Sequence, residues 1–521
     1  MSANRVIIVG GGLAGLSAAH TLVEHGASVL LIDKSAFLGG NSTKATSGIN
    51  GTPTQAQMKA NIQDTVEKFE KDINVSFHGG KEGPVSKTVT ELARQSGPSI
   101  DWLTYKFNLD LSVVGLMGGN SVMRTHRGKE RFPGMTITYA LMDGLEKLQS
   151  ARPADVKIIT KARVTKILRE ADGPVTGVVY EKGSETITEF GPVIICTGGF
   201  GADFSENSLL RRFKPEVMAF STTNGDHCTG DGLKMGEAIG AALVDMSYVQ
   251  VHPTGLVDPK EPNSKLKFLA AEAIRGTGAL IIDADGKRCA NELGRRDYVS
   301  ACMLAGKGPF RLILNSKCAQ EIMWHAKHYT GRGLMKHFKS GDELAKDMNI
   351  KATALAKTFA TYNDCAAKKK DPFGKMFFRN TPFDMKDSFY AAVITPVVHY
   401  TMGGLAVDHQ THVLDSSKRP VPGLWCAGEA AGGVHGVNRL GGNSLLDCVV
   451  FGRVAGKEAA SYLLATHLGP GSNVRLDTIY KQLQGTHAQS TAAAQLTPTT
   501  PPTAEKKPAT LRKITAAERG Y

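Results

Sequence analysis

A ten-residue stretch near the end of the chain, His435 to Ser444, concentrates groups that can bind an anion. It holds one arginine, Arg439, one imidazole and three glycines. An arginine presents a planar fork of N–H donors that matches a carboxylate. The apolar run Leu445 to Phe451 predicts a helix, and the N-terminal end of a helix also favours negative charge. The stretch predicts an anion-binding turn, and the alternative is a glycine-rich turn with a surface arginine.

Other candidate groups are less informative by their types alone. Glu272 and Arg275 lie three residues apart and share a face if this segment is a helix. An ordinary surface ion pair is the alternative. Single histidines and Arg-Arg pairs are more often structural than functional, so His252, His399 and Arg296 receive no role from residue type.

The first forty residues contain a nucleotide-binding fingerprint. Arg5 to Val9 predicts a buried parallel strand, and Gly10 to Gly15 supplies a GxGxxG turn. A helix over Leu16 to His25 and a strand over Ser28 to Ile32 follow, and this strand ends on Asp33. The third glycine permits close helix–strand packing, and the acid suits a ribose hydroxyl pair. The pattern predicts a Rossmann-like dinucleotide site.

The segment after Asp33 favours FAD over NAD. Leu38 to Asn50 is a polar, glycine-rich loop that can wrap a second phosphate and a ribityl arm. Two later strands, Pro192 to Cys196 and Gly423 to Cys426, each end in a glycine turn. Strands that return from distant sequence to one cofactor are typical of FAD domains.

Composition and charge argue against several other classes of protein. The net charge of +13 includes no Arg-rich run and suits a small anionic substrate, with simple solubility as the alternative. The eight cysteines form no CxxC or CxxCH motif. The sequence therefore gives no support for a disulfide framework, a zinc site or c-type haem attachment. This use of cysteine indicates a reducing compartment. No apolar run reaches membrane-spanning length, and no targeting segment is visible, so we expect the cytoplasm or an organelle lumen or matrix.

Five segments carry a resemblance to a known family: Gln250–Gly255, Glu272–Gly276, Asn291–Asp297, His399–Gly404 and His435–Ser444. They resemble the flavoprotein subunits of succinate dehydrogenase and fumarate reductase, and most of all the soluble fumarate reductases, over about residues 4–468. The resemblance implies an α/β fold in which a Rossmann-like, glutathione-reductase-like FAD-binding domain carries an inserted α+β clamp domain.

The resemblance also implies the division of the chain. The FAD-binding domain is expected at 1–248 plus 399–468, and the clamp that caps the substrate at 249–398. Residues 469–521 are expected to form a helical end and a disordered tail rich in Pro, Thr and Lys, because such a composition cannot bury a core.

The roles of the site residues follow from the resemblance. Reduced FAD is implied to deliver hydride from N5 to fumarate while Arg296 donates a proton to the other carbon. Arg275 and Glu272 are implied to relay protons to Arg296. His399 and Arg439 are implied to hold one carboxylate and His252 the other. The full implied substrate-binding set is His252, His399, Arg439, Gly442 and Gly48.

The cofactor contacts are likewise implied by the resemblance, and no metal is expected. The backbone N–H groups from Gly441 to Leu445 would cradle the flavin pyrimidine edge, and Glu429 would hold the ribityl chain or the adenosine ribose. The full set is Gly10, Gly12, Ala14, Gly15, Asp33, Lys34, Asn41, Ser42, Thr43, Ser47, Gly48, Val164, Gly199, Asp231, Glu429, Arg439, Ser444 and Leu445.

Two positions depart from the family pattern. Asn41 aligns with the histidine that binds FAD covalently in membrane-bound relatives, which predicts non-covalent FAD and favours fumarate reduction over quinone-linked succinate oxidation. Ala271 stands where the bacterial soluble enzymes carry threonine, so one hydroxyl contact to the substrate or the relay is in doubt.

The expected activity is that of a soluble fumarate reductase that makes succinate. No second GxGxxG and no haem or iron–sulfur ligation is apparent, so the electron donor is expected to be a free reduced flavin, a separate reductase or a domain once attached through the C-terminal linker. The alternatives within the family are an L-aspartate oxidase, a urocanate-type reductase and a succinate dehydrogenase flavoprotein. A flavin-binding protein without catalysis is the alternative outside enzymes, and the presence of Arg296, Glu272 and Arg275 argues against it.

Overall fold

The computed structural model describes residues 5–466, and a six-stranded sheet lies at its centre. Its strand order is His412–Leu414, Pro420–Cys426, Val193–Ile195, Arg5–Val9, Ser28–Ile32 and Val156–Ile159. All neighbours are parallel except the first two strands of this order, which are antiparallel. Three of the four inner strands, Val193–Ile195, Arg5–Val9 and Ser28–Ile32, are almost entirely buried, as apolar strands covered on both faces should be. The predicted α/β fold is confirmed.

The carboxyl ends of the central strands are in register. Val9 pairs with both Ile32 and Ile195, and Ile195 pairs in turn with Cys426. The loops that follow these residues therefore meet at one edge of the sheet. Open α/β sheets bind ligands at this edge.

The glycine fingerprint makes the tight turn that the sequence predicts. The helix Leu13–Glu24 begins inside the fingerprint, three residues earlier than expected. Gly10 has φ +105°, a conformation that L side chains rarely adopt. A Cβ at Gly15 would collide with the carbonyl oxygen of Gly10, so glycine is required for the helix to pack on the strand.

A second sheet is antiparallel and has its own apolar cluster. Its order is Phe268–Leu269, Val249–Leu256, Phe389–Thr401, Phe310–Asn315 and Leu280–Ile282, with Lys336–Phe338 also paired to Phe389–Thr401. Ile281, Leu314 and Phe389 belong to its core.

Residues up to 464 form one compact unit, so the domain boundaries at 249 and 398 stay a prediction. The prediction for 469–521 lies outside the described residues.

The remaining elements surround these two sheets. Three small sheets comprise Ile49–Asn50, Thr125–Arg127 and Val113–Gly115; Arg163–Arg169, Val175–Lys182 and Glu185–Phe190; and Leu243–Val244, Gly404–Ala406 and Ala431–Gly432. The other α-helices are Gln55–Lys59, Val66–Phe77, Lys87–Arg94, Ser96–Phe107, Pro133–Ala151, Leu209–Phe213, Asp231–Ala238, Glu272–Gly276, Arg296–Ala305, Ser316–Glu321, Met323–Gly331, Gly341–Asp347, Ala352–Lys368 and 443–466. Short 3₁₀ turns span Gly40–Lys44, Pro215–Ala219 and Gly428–Ala430. Within 5–466, no helix combines the length and apolarity needed to cross a membrane.

Candidate active site

A cavity of about 540 Å³ lies at the carboxyl edge of the parallel sheet. Its volume is within the range of small-molecule sites. Most of the residues implied by the family motifs line it: Gly10, Gly12, Ala14, Asp33, Lys34, Asn41, Ser42, Thr43, Ser47, Gly48, Val164, Asp231, Arg296, His399, Glu429, Arg439, Gly442, Ser444 and Leu445.

Five implied residues lie outside the cavity lining. Gly15 packs against Gly10, and a Cβ at Gly199 would collide with Glu429, so these two glycines allow close packing. His252, Glu272 and Arg275 are buried, and Glu272 contacts the lining residue Arg296 directly. Glu272 in turn contacts the other two.

The cavity fits a dinucleotide cofactor, as its own unpaired groups indicate. The helix Leu13–Glu24 has Gly12 as its N-cap, with no side-chain cap and no acidic residue in the first turn. Its first N–H groups and its dipole therefore favour an anion at this end. A Cβ at Gly198 would meet no atom within 4 Å, which leaves the backbone open to a ligand. The buried Thr197 hydroxyl and Arg439 Nε have no hydrogen-bond partner within residues 5–466.

Asp33, Lys34 and Asn41 are oriented by neighbouring segments. Asp33 Oδ2 accepts the Gly11 N–H at 2.7 Å, which joins the second strand to the glycine turn. Lys34 Nζ lies 2.9 Å from Asp231 Oδ2. The Asn41 amide donates to Asn224 Oδ1 at 2.7 Å and accepts the Gly225 N–H at 3.0 Å, so its rotamer is restrained at the cavity wall.

Arg296, Glu272 and Arg275 form a buried chain of opposite charges behind the cavity. Arg296 Nε donates to Glu272 Oε2 at 2.7 Å, and Arg275 Nη2 lies 3.0 Å from Glu272 Oε1. Burial alone would raise the pKa of Glu272, but Arg296 and Arg275 outweigh burial and hold this pKa well below its usual range. Glu272 is therefore ionised at neutral pH and lies between the two arginines as their shared counter-ion.

The two histidines lie side by side on paired strands. Their ring centroids are 5.0 Å apart, and His399 Nδ1 lies 2.7 Å from the Thr223 hydroxyl. Burial first, and then the charge of Arg296, lower the pKa of His252 to about 3. Burial, together with His252 and Arg296, also lowers the pKa of His399 well below its usual value. Both rings are neutral at pH 7.

The backbone around His252 is irregular. The strands Val249–Leu256 and Phe389–Thr401 pair with register shifts between Gln250 and Val251 and between His252 and Gly255. Pro253 follows His252 and has no N–H to donate to the ladder. The Thr254 N–H instead donates to His252 Nδ1 at 3.2 Å, which leaves His252 Nε2 facing Glu272 Oε2 at 3.7 Å. The irregularity thus orients the imidazole.

Gln250 joins the two arginines of the site. Its Oε1 accepts from Arg296 Nη1 at 2.7 Å and from Arg439 Nη2 at 3.0 Å. Its Nε2 donates to the Arg439 carbonyl at 2.8 Å. Burial, and then the charge of Arg296, lower the pKa of Arg439 to about 10, so its guanidinium keeps its charge at neutral pH. Arg439 Cζ also lies 4.2 Å from the centroid of the Tyr400 ring.

The Gly441-Gly442 pair brings its turn close to the buried carboxylate. A Cβ at Gly441 would lie 2.6 Å from Glu272 Oε2, and Gly442 has φ +87°. The Asn50 amide donates to the Gly441 carbonyl at 2.9 Å. His435, in the same stretch, faces Asp447 at 3.3 Å and does not line the cavity.

Three residues that contact the site receive no role from the sequence. Gln250 belongs to the same sequence motif as His252, and its place in that motif is the one sequence feature that indicates a role for it. Asn50 and Gly118 act through an amide and a backbone N–H, and Gly118 donates to Glu272 Oε1 at 3.0 Å. Their partners lie far away in the chain, so local sequence carries no indication of them.

Ala271 and Glu429 each contact a hydroxyl group from another segment of the chain. The Ala271 N–H donates to the Tyr329 hydroxyl at 3.1 Å, so a phenol from another helix lies next to the position of the missing threonine. Glu429 accepts the backbone N–H and the hydroxyl of Thr401. Burial raises the pKa of Glu429 to about 7 against these hydrogen bonds.

Comparison with known proteins agrees with this geometry. The FAD binding domain family matches residues 5–445. The chain is similar to a fumarate reductase of Schizosaccharomyces pombe, with 44% identity over 467 residues that cover 88% of this chain and 90% of the relative. It is similar to fumarate reductase 1 of Saccharomyces cerevisiae, with 37% identity over 88% of this chain and 99% of that relative.

A solved structure shows the same architecture. The open conformation of a flavocytochrome c3 fumarate reductase superposes with a TM-score of 0.68 and 32% identity, over 89% of this chain and 79% of the other. The family match and the relatives agree with the cavity, and together they show that the chain belongs to the FAD-binding flavoprotein family that includes the fumarate reductases and is an FAD-dependent oxidoreductase.

Proposed function

We propose that this protein reduces fumarate to succinate. The observation that carries the proposal is the convergence of Arg439, His399 and Arg296 on the cavity, with the ion chain of Glu272 and Arg275 directly behind Arg296. Two fixed cations in a largely buried site suit a small dianion. The fumarate reductases similar to this chain support the same substrate.

The residues divide the work of binding between the two carboxylates. Arg439 and His399 bind one carboxylate at the cavity wall, and neutral His252 supports the other from behind. FAD, when bound through Asp33, Lys34 and the turn at Gly441, supplies the hydride. Gln250 holds Arg296 and Arg439 at a constant separation, so both donors meet the substrate without reorganising.

Arg296 is the proposed proton donor to the second alkene carbon. Its Nη1 and Nε are fixed by Gln250 and Glu272, so the guanidinium cannot rotate away from the cavity. Loss of a proton from arginine is costly in water. Here two transfers restore it: Arg275 passes a proton to Glu272 Oε1, Glu272 passes one from Oε2 to Arg296, and solvent then reprotonates Arg275.

We also propose that FAD is bound without a covalent link and that the reductant comes from outside the chain. Asn41 has no nucleophilic nitrogen, and its amide is engaged with Asn224 and Gly225. Acid precipitation of the purified protein should therefore release all flavin into the supernatant. Flavin retained in the washed precipitate would contradict this expectation.

The decisive experiment is anaerobic. The FAD-loaded protein is reduced chemically, fumarate is added, and the flavin absorbance is followed while succinate is quantified. Rapid return of the oxidised spectrum with stoichiometric succinate supports the proposal, whereas a faster response to urocanate would refute it. Arg296→Gln should keep FAD and lose nearly all turnover. Arg295→Gln is the matched control, because the Arg295 guanidinium pairs with Asp297 outside the buried ion chain.

A further inference from the structure

A buried histidine and a buried acid lie behind the cavity wall and have no role in the proposed reaction. His435 belongs to the stretch His435–Ser444, but its imidazole does not line the cavity. Its Nε2 faces Asp447 Oδ2 at 3.3 Å, and both side chains are buried. Burying such polar groups costs free energy unless each has a partner, and the second partner of Asp447 leads back to the cavity.

That second partner is the phenol of Tyr400. Its hydroxyl donates to the same carboxylate atom, Asp447 Oδ2, at 3.1 Å. Burial first, and then Asp447, raise the pKa of the Tyr400 phenol well above its usual value, so the phenol stays protonated and its O–H is committed to Asp447. The rings of His435 and Tyr400 also meet edge-on, with centroids 5.6 Å apart. We define the His–Asp–Tyr cluster as His435, Asp447 and Tyr400.

The Tyr400 ring connects this cluster to the arginine of the proposed carboxylate site. Tyr400 lines the cavity, and Arg439 Cζ lies 4.2 Å from its ring centroid. A guanidinium over an aromatic ring is attracted to the negative face of that ring, and the attraction is stronger where water is excluded. Both side chains are buried, so the contact is of this stronger kind.

Two residues that pair across neighbouring strands hold the Arg439 guanidinium. Gln250 pairs with Tyr400 in the register of Val249–Leu256 and Phe389–Thr401. Gln250 Oε1 accepts from Arg439 Nη2 at 3.0 Å, and the Leu440 carbonyl accepts from Nη1 at 3.2 Å. Arg439 Nε has no hydrogen-bond partner within residues 5–466. The Tyr400 ring is therefore the contact that restrains the inner part of the guanidinium.

We propose that the His–Asp–Tyr cluster positions Arg439 for a substrate carboxylate. Asp447 and His435 hold the Tyr400 ring in place, and the ring holds the guanidinium. The carboxylate keeps its charge throughout the reaction, so a well-placed Arg439 binds the ground state and the transition state equally. Loss of the cluster should therefore raise the KM for fumarate and leave kcat nearly unchanged. This inference rests on the proposed function for the identity of the substrate.

The test compares variants of the FAD-loaded enzyme. Tyr400→Leu removes the ring, and Tyr400→Phe keeps the ring but loses the bond to Asp447. Asp447→Leu removes the shared acceptor. Asp447→Asn can keep it, because the amide nitrogen can take the place of Oδ1, which has no hydrogen-bond partner in the described part of the chain. Tyr362→Phe is the matched control for a buried hydroxyl: Arg288 Cζ lies 4.7 Å from the Tyr362 ring, and Tyr362 does not line the cavity.

Two kinds of measurement separate positioning from a general loss of structure. Steady-state rates with reduced methyl viologen give kcat and the KM for fumarate. The Kd of fumarate for the oxidised enzyme, measured from the change in flavin absorbance, reports binding without turnover. FAD content and Tm are recorded for every variant, because a merely structural cluster would lower both of them together with kcat.

The expected losses follow the contacts that each variant removes. Tyr400→Leu should raise the KM and the Kd for fumarate by about tenfold or more, with full FAD content and kcat within about threefold of wild type. Tyr400→Phe and Asp447→Leu should raise both constants by about threefold, because the ring remains but is less restrained. Asp447→Asn and Tyr362→Phe should stay within about twofold of wild type. If Asp447→Leu does not fold, the two Tyr400 variants still decide the inference.

Three outcomes would overturn the inference. Wild-type KM and Kd in Tyr400→Leu would show that Arg439 needs no aromatic support. A lower kcat with an unchanged KM in that variant would place the ring at the reacting centre instead. Wild-type kinetics in Tyr400→Phe, with equal losses in Asp447→Asn and Asp447→Leu, would show that the acid does not act through the phenol.

Failure of the proposed function gives a different result. Wild-type enzyme would then neither bind nor reduce fumarate, and crystal structures of the wild type and Tyr400→Leu would decide the positioning role. A displaced Arg439 guanidinium in the variant would support this role, and a guanidinium in its wild-type position would refute it.

Discussion

Replacing Gln250 by leucine tests whether one buried amide positions both arginines of the site. Gln250 is 2% exposed, and its Oε1 accepts one hydrogen bond from Arg296 and one from Arg439. Leucine is similar in size and has no acceptor. In Gln250→Leu, two guanidinium donors lose their partner at buried positions, since Arg296 is 4% and Arg439 2% exposed.

The size of the effect follows from these two hydrogen bonds. A hydrogen bond to a charged group is worth about 1.5–3 kcal/mol. A substrate carboxylate can take the place of Gln250 as acceptor for Arg439, whereas the Arg296 donor stays without a partner in the transition state. We therefore expect kcat/KM for fumarate to fall by about tenfold to a hundredfold, mostly in kcat.

The assay uses reduced methyl viologen as donor and measures kcat, KM, FAD content and Tm for three proteins. Gln250→Glu is the comparison variant: it keeps the Oε1 acceptor for both arginines, but it replaces the Nε2 donor to the Arg439 carbonyl with an oxygen and adds a negative charge that repels the substrate carboxylate. It should lower the Tm, because two buried oxygens then face each other, and it should raise the KM for fumarate. Wild-type kcat/KM in Gln250→Leu with full FAD content would refute the positioning role, as would equal kinetic losses in both variants.

Three further predictions concern stability, packing and charge. Burial lowers the pKa of His20, His126 and His325 to about 4, and of His252 to about 3. The unfolded chain therefore binds more protons as the pH falls below about 6.5, and urea midpoints should drop steeply from pH 7 to pH 5; a flat profile would contradict buried neutral rings. Gly15→Ala should lower Tm and FAD retention because its Cβ collides with Gly10, whereas Gly331→Ala, with no atom within 4 Å, should change Tm little; equal Tm values would exclude the collision. Arg439→Lys keeps the charge but loses the fork to Gln250 and the stacking on Tyr400, so the KM for fumarate should rise by about tenfold. An unchanged KM would place the carboxylate elsewhere.

Much of the fold could be predicted from the sequence, because the patterns that indicate strands and helices lie within short stretches of the chain. The strands Arg5–Val9 and Ser28–Ile32 have the predicted bounds, since each is a short apolar run that ends at a glycine or a charged residue. The helix after the first strand starts earlier than predicted, because the fingerprint itself adopts helical geometry from residue 13 onward.

The site is less predictable because its contacts join distant segments. The roles of Glu272, Arg275 and Arg296 could be predicted only from the family motifs. Their residue types alone are equally consistent with an ordinary surface ion pair. Gln250 bridges residues 46 and 189 positions away, so no periodicity or spacing could indicate its contacts. His435 looks like an anion ligand in the sequence, yet packing turns it toward Asp447.

The irregular strand pairing around Pro253 lowers the stability of the sheet but orients an active-site residue, and both effects arise within a few residues. A regular ladder across this strand would gain backbone hydrogen bonds, and selection for folding alone would remove the proline and its register shifts. Such a repaired sheet would turn His252 away from Glu272 and separate it from His399. Design that rewards ideal strands would therefore produce a more stable protein with a disrupted active site, and thermostabilising libraries for this fold should hold residues 250–255 constant.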